Sequence, residues 1–233
     1  MRISWISRKA DLVMPRACMV CGRRASPTEG RLCAVCTLRL PWTMFWLSPG
    51  DNMMARLFWG RIARFQKAAA LFHYRPGTAA SHVILRIKYG HSPGTAVLLG
   101  LLTARKLLPS GFFDGIDAII PVPLTAGRRL RRGYNQSERI ARGISMGTGI
   151  RVARHAVRRI RFTKSQTQLN AWERASNVEH AFRLHKPATL AHSHVLIVDD
   201  VVTTGSTITS VAATLAGIEG VRVSVLTVGF TQR

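Results

Sequence analysis

Residues 195–207 read VLIVDDVVTTGST. An apolar run meets two adjacent carboxylates, Asp199 and Asp200, and then a hydroxyl-rich stretch, Thr203-Thr204-Gly205-Ser206-Thr207. Small residues let the backbone approach a ligand closely. The N–H groups that open the following helix lack intrahelical partners and favour a phosphate. The four hydroxyls add donors to that anion site. The two carboxylates beside it suit sugar hydroxyls or a divalent cation. A ligand that carries a phosphate, a polyol and a bound Mg²⁺ would satisfy both. The segment is not an ATPase phosphate loop, because no Gly-x4-Gly-Lys-Ser/Thr string occurs in the chain. It is not a dinucleotide fingerprint either, since Gly-x-Gly-x2-Gly is absent. A plain helix-capping role needs one carboxylate at the helix start, and these two lie further upstream.

A second chemical signal lies near the start. All four cysteines fall in Cys18-x2-Cys21-x11-Cys33-x2-Cys36. Each Cys-x2-Cys makes a tight knuckle that aims two thiolates at one point, and two knuckles give the tetrahedral four-sulfur site that zinc prefers. Gly22 supplies the positive φ that such a knuckle needs. Four protein ligands leave no open position, so this zinc is expected to be structural. A module of residues 14–40 is too short to fold on its own core, and metal binding of about 10–16 kcal/mol would offset that deficit.

The elements that must position these groups read as alternating strands and helices. A strand is expected over 66–74, a turn at Arg75-Pro76-Gly77, and helices over 78–89 and from Ser92-Pro93 to about 108. A strand over 116–122 ends in Pro121-Val122-Pro123. Helices follow over 135–146, 171–178 and 206–216, with strands over 155–162, 194–198 and 221–228. This order argues for a parallel α/β sheet covered on both faces, with ligands beyond the carboxyl ends of the strands. The strand 194–198 then delivers Asp199 and Asp200 to that edge. Residues 53–72 are apolar but interrupted by Arg56, Arg61, Arg64 and Lys67. They fit a helix leading into a strand better than a helix lying on a membrane surface. No run of about 18 uncharged apolar residues exists, and Arg8, Lys9 and Asp11 break any signal-peptide core, so a cytoplasmic location is expected.

Several of these segments together resemble a known family. Residues 195–207 look like the phosphoribosyl pyrophosphate (PRPP) motif of type I phosphoribosyltransferases. The resemblance extends over nearly the whole chain to the ComF family of phosphoribosyltransferase-like proteins. It rests on the four-cysteine module, Leu85-Arg86-Ile87-Lys88-Tyr89-Gly90, Ile120-Pro121-Val122-Pro123-Leu124, and Arg132-Gly133-Tyr134-Asn135-Gln136. Gln166-Thr167-Gln168-Leu169 and Arg174-Ala175-Ser176-Asn177 extend it. It implies a type I phosphoribosyltransferase-like α/β fold, a parallel sheet flanked by helices, preceded by a small zinc-ribbon-like module. The expected division is a cysteine module over 1–45, a connector over 46–60 and the phosphoribosyltransferase-like domain over 61–233.

The resemblance also implies roles. Asp199 and Asp200 would contact the ribose hydroxyls of PRPP, partly through Mg²⁺. Thr203, Thr204, Gly205, Ser206 and Thr207 would hold the 5-phosphate. The loop after Pro121-Val122-Pro123, including Pro123 and Leu124, would hold pyrophosphate with Lys88 and nearby arginines. Arg159, Arg161, Lys164 and Gln168 would belong to a mobile loop that closes over the site. Phosphoribosyl transfer, a glycosyl transfer, is the activity implied, and the residues name no acceptor. Zinc and Mg²⁺ are the implied cofactors.

The chain carries 34 Lys and Arg against 11 Asp and Glu, a net charge of +23. Such a field attracts polyanions. Residues 128–164 hold twelve of these cations and one acid, Glu138. Pyrophosphate needs fewer. The excess fits either a solvated face or a nucleic-acid backbone, although only Tyr134 and Phe162 could stack on bases. ComF-like proteins are associated with DNA uptake in natural competence. The resemblance therefore implies single-stranded DNA, or a helicase or recombination mediator, as a partner, either beside catalysis or in place of it.

Overall fold

The computed structural model describes residues 17–24, 31–160, 181–185 and 187–231. A short helix in the cysteine module (α1, Ala34–Arg39) is followed by a 3-10 turn (Phe45–Leu47) and α2 (Met53–Arg56). Then come β1 (Phe65–His73), α3 (Ala79–Tyr89), α4 (Pro93–Leu107) and β2 (Ala118–Pro121). The middle of the chain gives α5 (Ala126–Arg132), α6 (Gln136–Thr148), β3 (Arg151–Val152), β4 (Val157–Arg159) and β5 (Phe182–Leu184). The last third gives β6 (His194–Val202), α7 (Ser206–Leu215) and β7 (Arg222–Phe230).

Five strands form one parallel sheet in the order β1-β7-β6-β2-β3, and β4 pairs antiparallel with β5 in a separate ribbon. The strands alternate faces with a period of two, as pleating demands. Ile119, Leu196, Val198, Leu226 and Val228 point to the face covered by α3, α4 and α6. Ala118, Ile120, Val195, Ile197 and Val225 point to the face covered by α7, α2 and the β4–β5 ribbon. Both faces are dry, which is what a parallel sheet requires.

β1 would otherwise be an open edge, a template for unwanted pairing. The chain between the cysteine module and α2 covers it. Thr43 N–H donates to Leu71 O, His73 N–H to Pro41 O and Ala68 N–H to Pro49 O. Asn52 caps α2 through its Oδ1 and donates from Nδ2 to Ala68 O at 2.8 Å. Trp46, Met54, Ala55 and Phe58 of this stretch are buried.

Helices α4 and α6 approach closely because both carry glycine at the crossing. A Cβ at Gly100 would lie 2.0 Å from Ile140 O, and one at Gly143 would lie 2.0 Å from Val97 O. No other residue fits either place.

The expected helices over 78–89, 92–108, 135–146 and 206–216 are present within one or two residues. The strand expected over 194–198 is longer than expected. It runs four residues further, through both aspartates to Val202, with Asp199 paired to Thr227 and Val202 to Phe230. The carboxylates do not end it because each finds a partner there, described below. The strand expected over 155–162 is the short β4. The expected helix over 171–178, and Arg161, Lys164 and Gln168, lie outside the described residues. Among the described residues, no helix is long and apolar enough to cross a membrane.

Candidate functional site

The site lies at the carboxyl edge of the sheet, where β6 and β2 run side by side. Val122 N–H donates to Val198 O at 2.9 Å, so the loop after β2 leaves the sheet beside Asp199. Pro123 and Leu124 lie in that loop, half-buried, and Thr125 caps α5 by accepting from Arg128 N–H at 3.3 Å. Arg128, Arg129, Arg131 and Arg132 of α5 follow, and none of that helix is buried.

Asp199 Oδ1 accepts from Ser137 Oγ at 2.8 Å and from Asp200 N–H at 2.8 Å. Burial pushes the Asp199 carboxyl up to about 7, and the charge of Asp200 adds to this; Ser137, Asp200 N–H and Lys88 act the other way. Asp200 is buried and forms an ion pair with Lys88, Nζ to Oδ1, at 3.1 Å. Lys88 stands in the last turn of α3, where the helix dipole favours a cation. Three segments distant in sequence thus meet: the end of α3, the start of α6, and β6.

The segment Arg132–Gln136 fixes this meeting. Tyr134 Oη donates to Ile87 O and holds the end of α3. Asn135 Nδ2 donates to Val122 O at 3.0 Å, while its Oδ1 caps α6 by accepting from Ser137 N–H. Arg132 Nη1 donates to Gln136 Oε1 at 3.0 Å, and its guanidinium lies 5.5 Å from the Tyr89 ring centre. Arg132 Nε and Gln136 Nε2 are buried with no hydrogen-bond partner among the described residues. In the sequence this segment stands only as part of the family resemblance, and nothing local points to Ser137. A serine two residues past an asparagine N-cap looks like an ordinary surface helix start.

Residues 203–207 line a small polar pocket of about 40 Å³ next to Asp199. Gly205 has φ +76° and starts α7 with no side-chain cap, which leaves the helix opening facing the pocket. Thr204 Oγ1 and Ser206 Oγ are 2.9 Å apart. A Cβ at Gly205 would lie 2.8 Å from the Phe58 ring, and Arg61 Nη1 donates to Thr204 O at 3.0 Å. The stretch around α2 therefore braces the loop from beneath, and Arg61 is a further residue that the sequence did not single out. Arg159, on β4, lies 5.2 Å from the Phe182 ring centre. Burial, and then the charge of Arg128, hold its guanidinium below the usual value, while Asp199 pulls it up.

The four cysteines converge. Their sulfurs all lie within 4.8 Å of one another, with Cys21 and Cys33 3.9 Å apart. A tetrahedron with Zn–S of about 2.3 Å needs sulfurs roughly 3.8 Å apart, so this donor set is compatible with zinc. Gly22 does adopt φ +73°, and its N–H donates to Cys18 O at 2.9 Å, which closes the first knuckle. Cys18, Cys33 and Cys36 are buried and Cys21 is exposed.

Comparison with known proteins shows the family. Residues 128–229 match the phosphoribosyl transferase domain family. DNA utilization protein YhgH of Escherichia coli (strain K12) is 34% identical over 201 residues, 85% of this chain and 83% of that protein. Its namesake in Salmonella typhimurium is 30% identical over 214 residues, 88% of this chain and 92% of that protein. The chain belongs to the ComF family of phosphoribosyltransferase-like proteins. Competence protein F of Haemophilus influenzae is 37% identical to this ComF-family chain over 110 residues, 46% of it and 48% of that protein.

Proposed function

We propose that this ComF-family protein binds PRPP with Mg²⁺ at Asp199 and Asp200 and transfers its phosphoribosyl group to an acceptor in a DNA-utilisation or competence process. The observation that carries the reading is the pair of carboxylates held by Ser137 and Lys88 directly beside the helix-opening pocket of residues 203–207. A phosphorylated sugar carries both the phosphate and the hydroxyls that two such adjacent sites would take. Arg132 Nε and Gln136 Nε2, buried without acceptors next to the loop after β2, would gain them from pyrophosphate oxygens.

Displacing pyrophosphate from the anomeric carbon builds positive charge on the ribose, and Asp199 and Asp200 are suitably signed to stabilise it. Mg²⁺, when bound, would neutralise the leaving group. Lys88 and the α5 arginines supply further positive charge there. A closing segment that includes Arg159 would exclude water from the site. Ordinary enzymatic catalysis asks this set to lower the barrier by about 8 kcal/mol or more. The four thiolates would hold a structural zinc.

Calorimetric titration of the zinc-loaded protein with PRPP and Mg²⁺ tests the reading. Binding is expected in the wild type and lost in Asp199→Asn, Asp200→Asn. No binding in the wild type overturns it.

A second reading has its own observation. Around Arg151, Arg154, His155 and His185, an open pocket of about 290 Å³ lies beyond the end of β3, with the exposed arginines of α5 elsewhere on the basic stretch. This favours contact with single-stranded DNA, or with a DNA-bound helicase or recombination mediator, with the fold as a scaffold. Replacing Arg128, Arg129, Arg131 and Arg151 by Ser leaves Arg132 and Arg159 in place. A weaker affinity for single-stranded DNA and a shallower salt slope support it. An unchanged slope leaves these arginines as a solvated face.

A further inference from the structure

Asp200 is buried beside a second carboxylate, and the positive charge that answers it comes from the chain itself. Lys88 Nζ is 3.1 Å from Asp200 Oδ1, and the two side chains are 22% and 12% exposed. The surroundings hold the backbone on either side of Lys88, and the neighbouring Asp199, in place. Tyr134 Oη holds the Ile87 carbonyl one residue before it. Two residues after it, a Cβ at Gly90 would come within 2.7 Å of Arg86 O, so the chain can turn away at once only with glycine there. From α6, Ser137 holds Asp199, and the charge of Arg159 on β4 also reaches Asp199.

We infer that Lys88 is a tethered counter-ion that keeps free divalent cations off the Asp199–Asp200 pair and admits them only when a polyanionic ligand arrives with them. This deepens the reading of the site given above and rests on it for the identity of the ligand. A free cation must displace the ammonium, and the freed ammonium then faces the cation at short range with no new partner. Like charges a few ångströms apart in a half-buried site repel strongly. A cation already chelated by a pyrophosphate brings the replacement partner with it, because the pyrophosphate oxygens take up the ammonium that Asp200 releases. The exchange then conserves ion pairs. Lys88 therefore sets specificity for the metal–ligand complex over the bare metal, in addition to contacting the leaving group.

Manganese titration followed by electron paramagnetic resonance, on zinc-loaded protein without PRPP, reads this directly. The wild type is expected to bind Mn²⁺ weakly, with Kd of about 1 mM or above. Lys88→Met and Lys88→Gln are each expected to bind it about 10-fold or more tightly. Lys88→Arg is expected to behave as wild type, and adding Asp200→Asn to Lys88→Gln should abolish the gain. Lys88→Gln keeps a hydrogen-bond donor for Asp200, so it decides the matter if Lys88→Met does not fold. Equal Mn²⁺ affinity in wild type and Lys88→Gln overturns the inference. So does tight Mn²⁺ binding by the wild type that Asp200→Asn removes. Because PRPP is absent from this titration, a Lys88 effect without PRPP binding keeps the counter-ion and rejects the ligand, and the reverse result separates them the other way.

Discussion

Ser137 and Asp199 are 62 residues apart in the chain, and the Ser137 hydroxyl donates to Asp199 Oδ1 at 2.8 Å. This bond joins the first turn of α6 to the edge of β6. It belongs to a run in which Tyr134 holds α3 and Asn135 holds the loop after β2. One short segment thus sets the relative position of the cation, the carboxylates and the loop assigned to pyrophosphate.

Removing the Ser137 hydroxyl should therefore cost most when Asp199 is ionised. Hydrogen bonds to charged groups contribute about 1.5–3 kcal/mol, against roughly 1 kcal/mol for neutral pairs. Ser137→Ala is expected to lose stability in the first range at pH 8 and the second at pH 5, measured by urea denaturation. Its affinity for PRPP with Mg²⁺ should fall about 10-fold, the equivalent of 1.4 kcal/mol. Ser137→Thr keeps the hydroxyl and should restore most of both. Equal losses at the two pH values would mean that the bond does not answer the Asp199 charge.

The carboxyl of Asp199 is itself raised from 3.8 to about 7. A raised carboxyl means that the folded state holds a proton the unfolded chain has released. Stability from this group is therefore fully present below about pH 4 and is lost as pH rises through about 7. Its upper bound is about 4 kcal/mol, since each unit is worth 1.36 kcal/mol. Asp199→Asn cannot titrate. The difference in unfolding free energy, wild type minus variant, should fall steadily between pH 4 and pH 8. A flat difference would show that Asp199 titrates alike in both states.

What could be read in the sequence follows from burial. Helices α3, α4, α6 and α7 each bury one apolar face, such as Val83, Ile84 and Ile87 or Ile140 and Ile144, and their period betrays them. Helix α5 buries nothing, so its four arginines and Leu130 show no period that would reveal a helix. The end of β6 was misplaced because two carboxylates look like a strand end until Lys88 and Ser137 are brought to them by the fold. The carboxylates, the hydroxyl loop and the cysteines stood out because their types and spacing are local. Ser137, Arg61, and the pairing of Lys88 with Asp200 are contacts across the fold, which no local pattern reveals.

Gly205 tests the phosphate role proposed for residues 203–207. It combines φ +76° with a Phe58 ring that would lie 2.8 Å from any Cβ. Gly205→Ala should cost about 1–3 kcal/mol from the backbone alone, with added strain against Phe58. Gly205→Ala with Phe58→Leu relieves the contact but not the backbone. Denaturant unfolding should therefore show partial recovery in the double variant beyond what the Phe58→Leu cost predicts. PRPP affinity should stay low, because the helix opening is displaced in both.

Removal of metal tests how far the cysteine module serves the rest of the chain. Cys18, Met19, Leu32, Cys33, Cys36 and Leu40 lie in the same apolar cluster as Trp46, Leu71 and Phe72. The Trp42 ring packs at a tilt of 50° against Phe72, with ring centres 4.9 Å apart, and donates from Nε1 to Thr37 O at 2.9 Å, which ties α1 to β1. Four thiols without metal lose the ligation that closes the knuckles, and small metal-held modules unfold when it goes. Chelation should therefore do more than release the module. It should uncover one side of the core that covers β1 and lower the melting temperature of the whole protein by roughly 5 °C or more, about 2 kcal/mol or above for a chain of this size. Readdition of zinc should restore it, with thiol titration showing four cysteines newly reactive in the stripped form. An unchanged melting temperature with four reactive thiols would mean that the module folds onto the sheet without contributing to its stability.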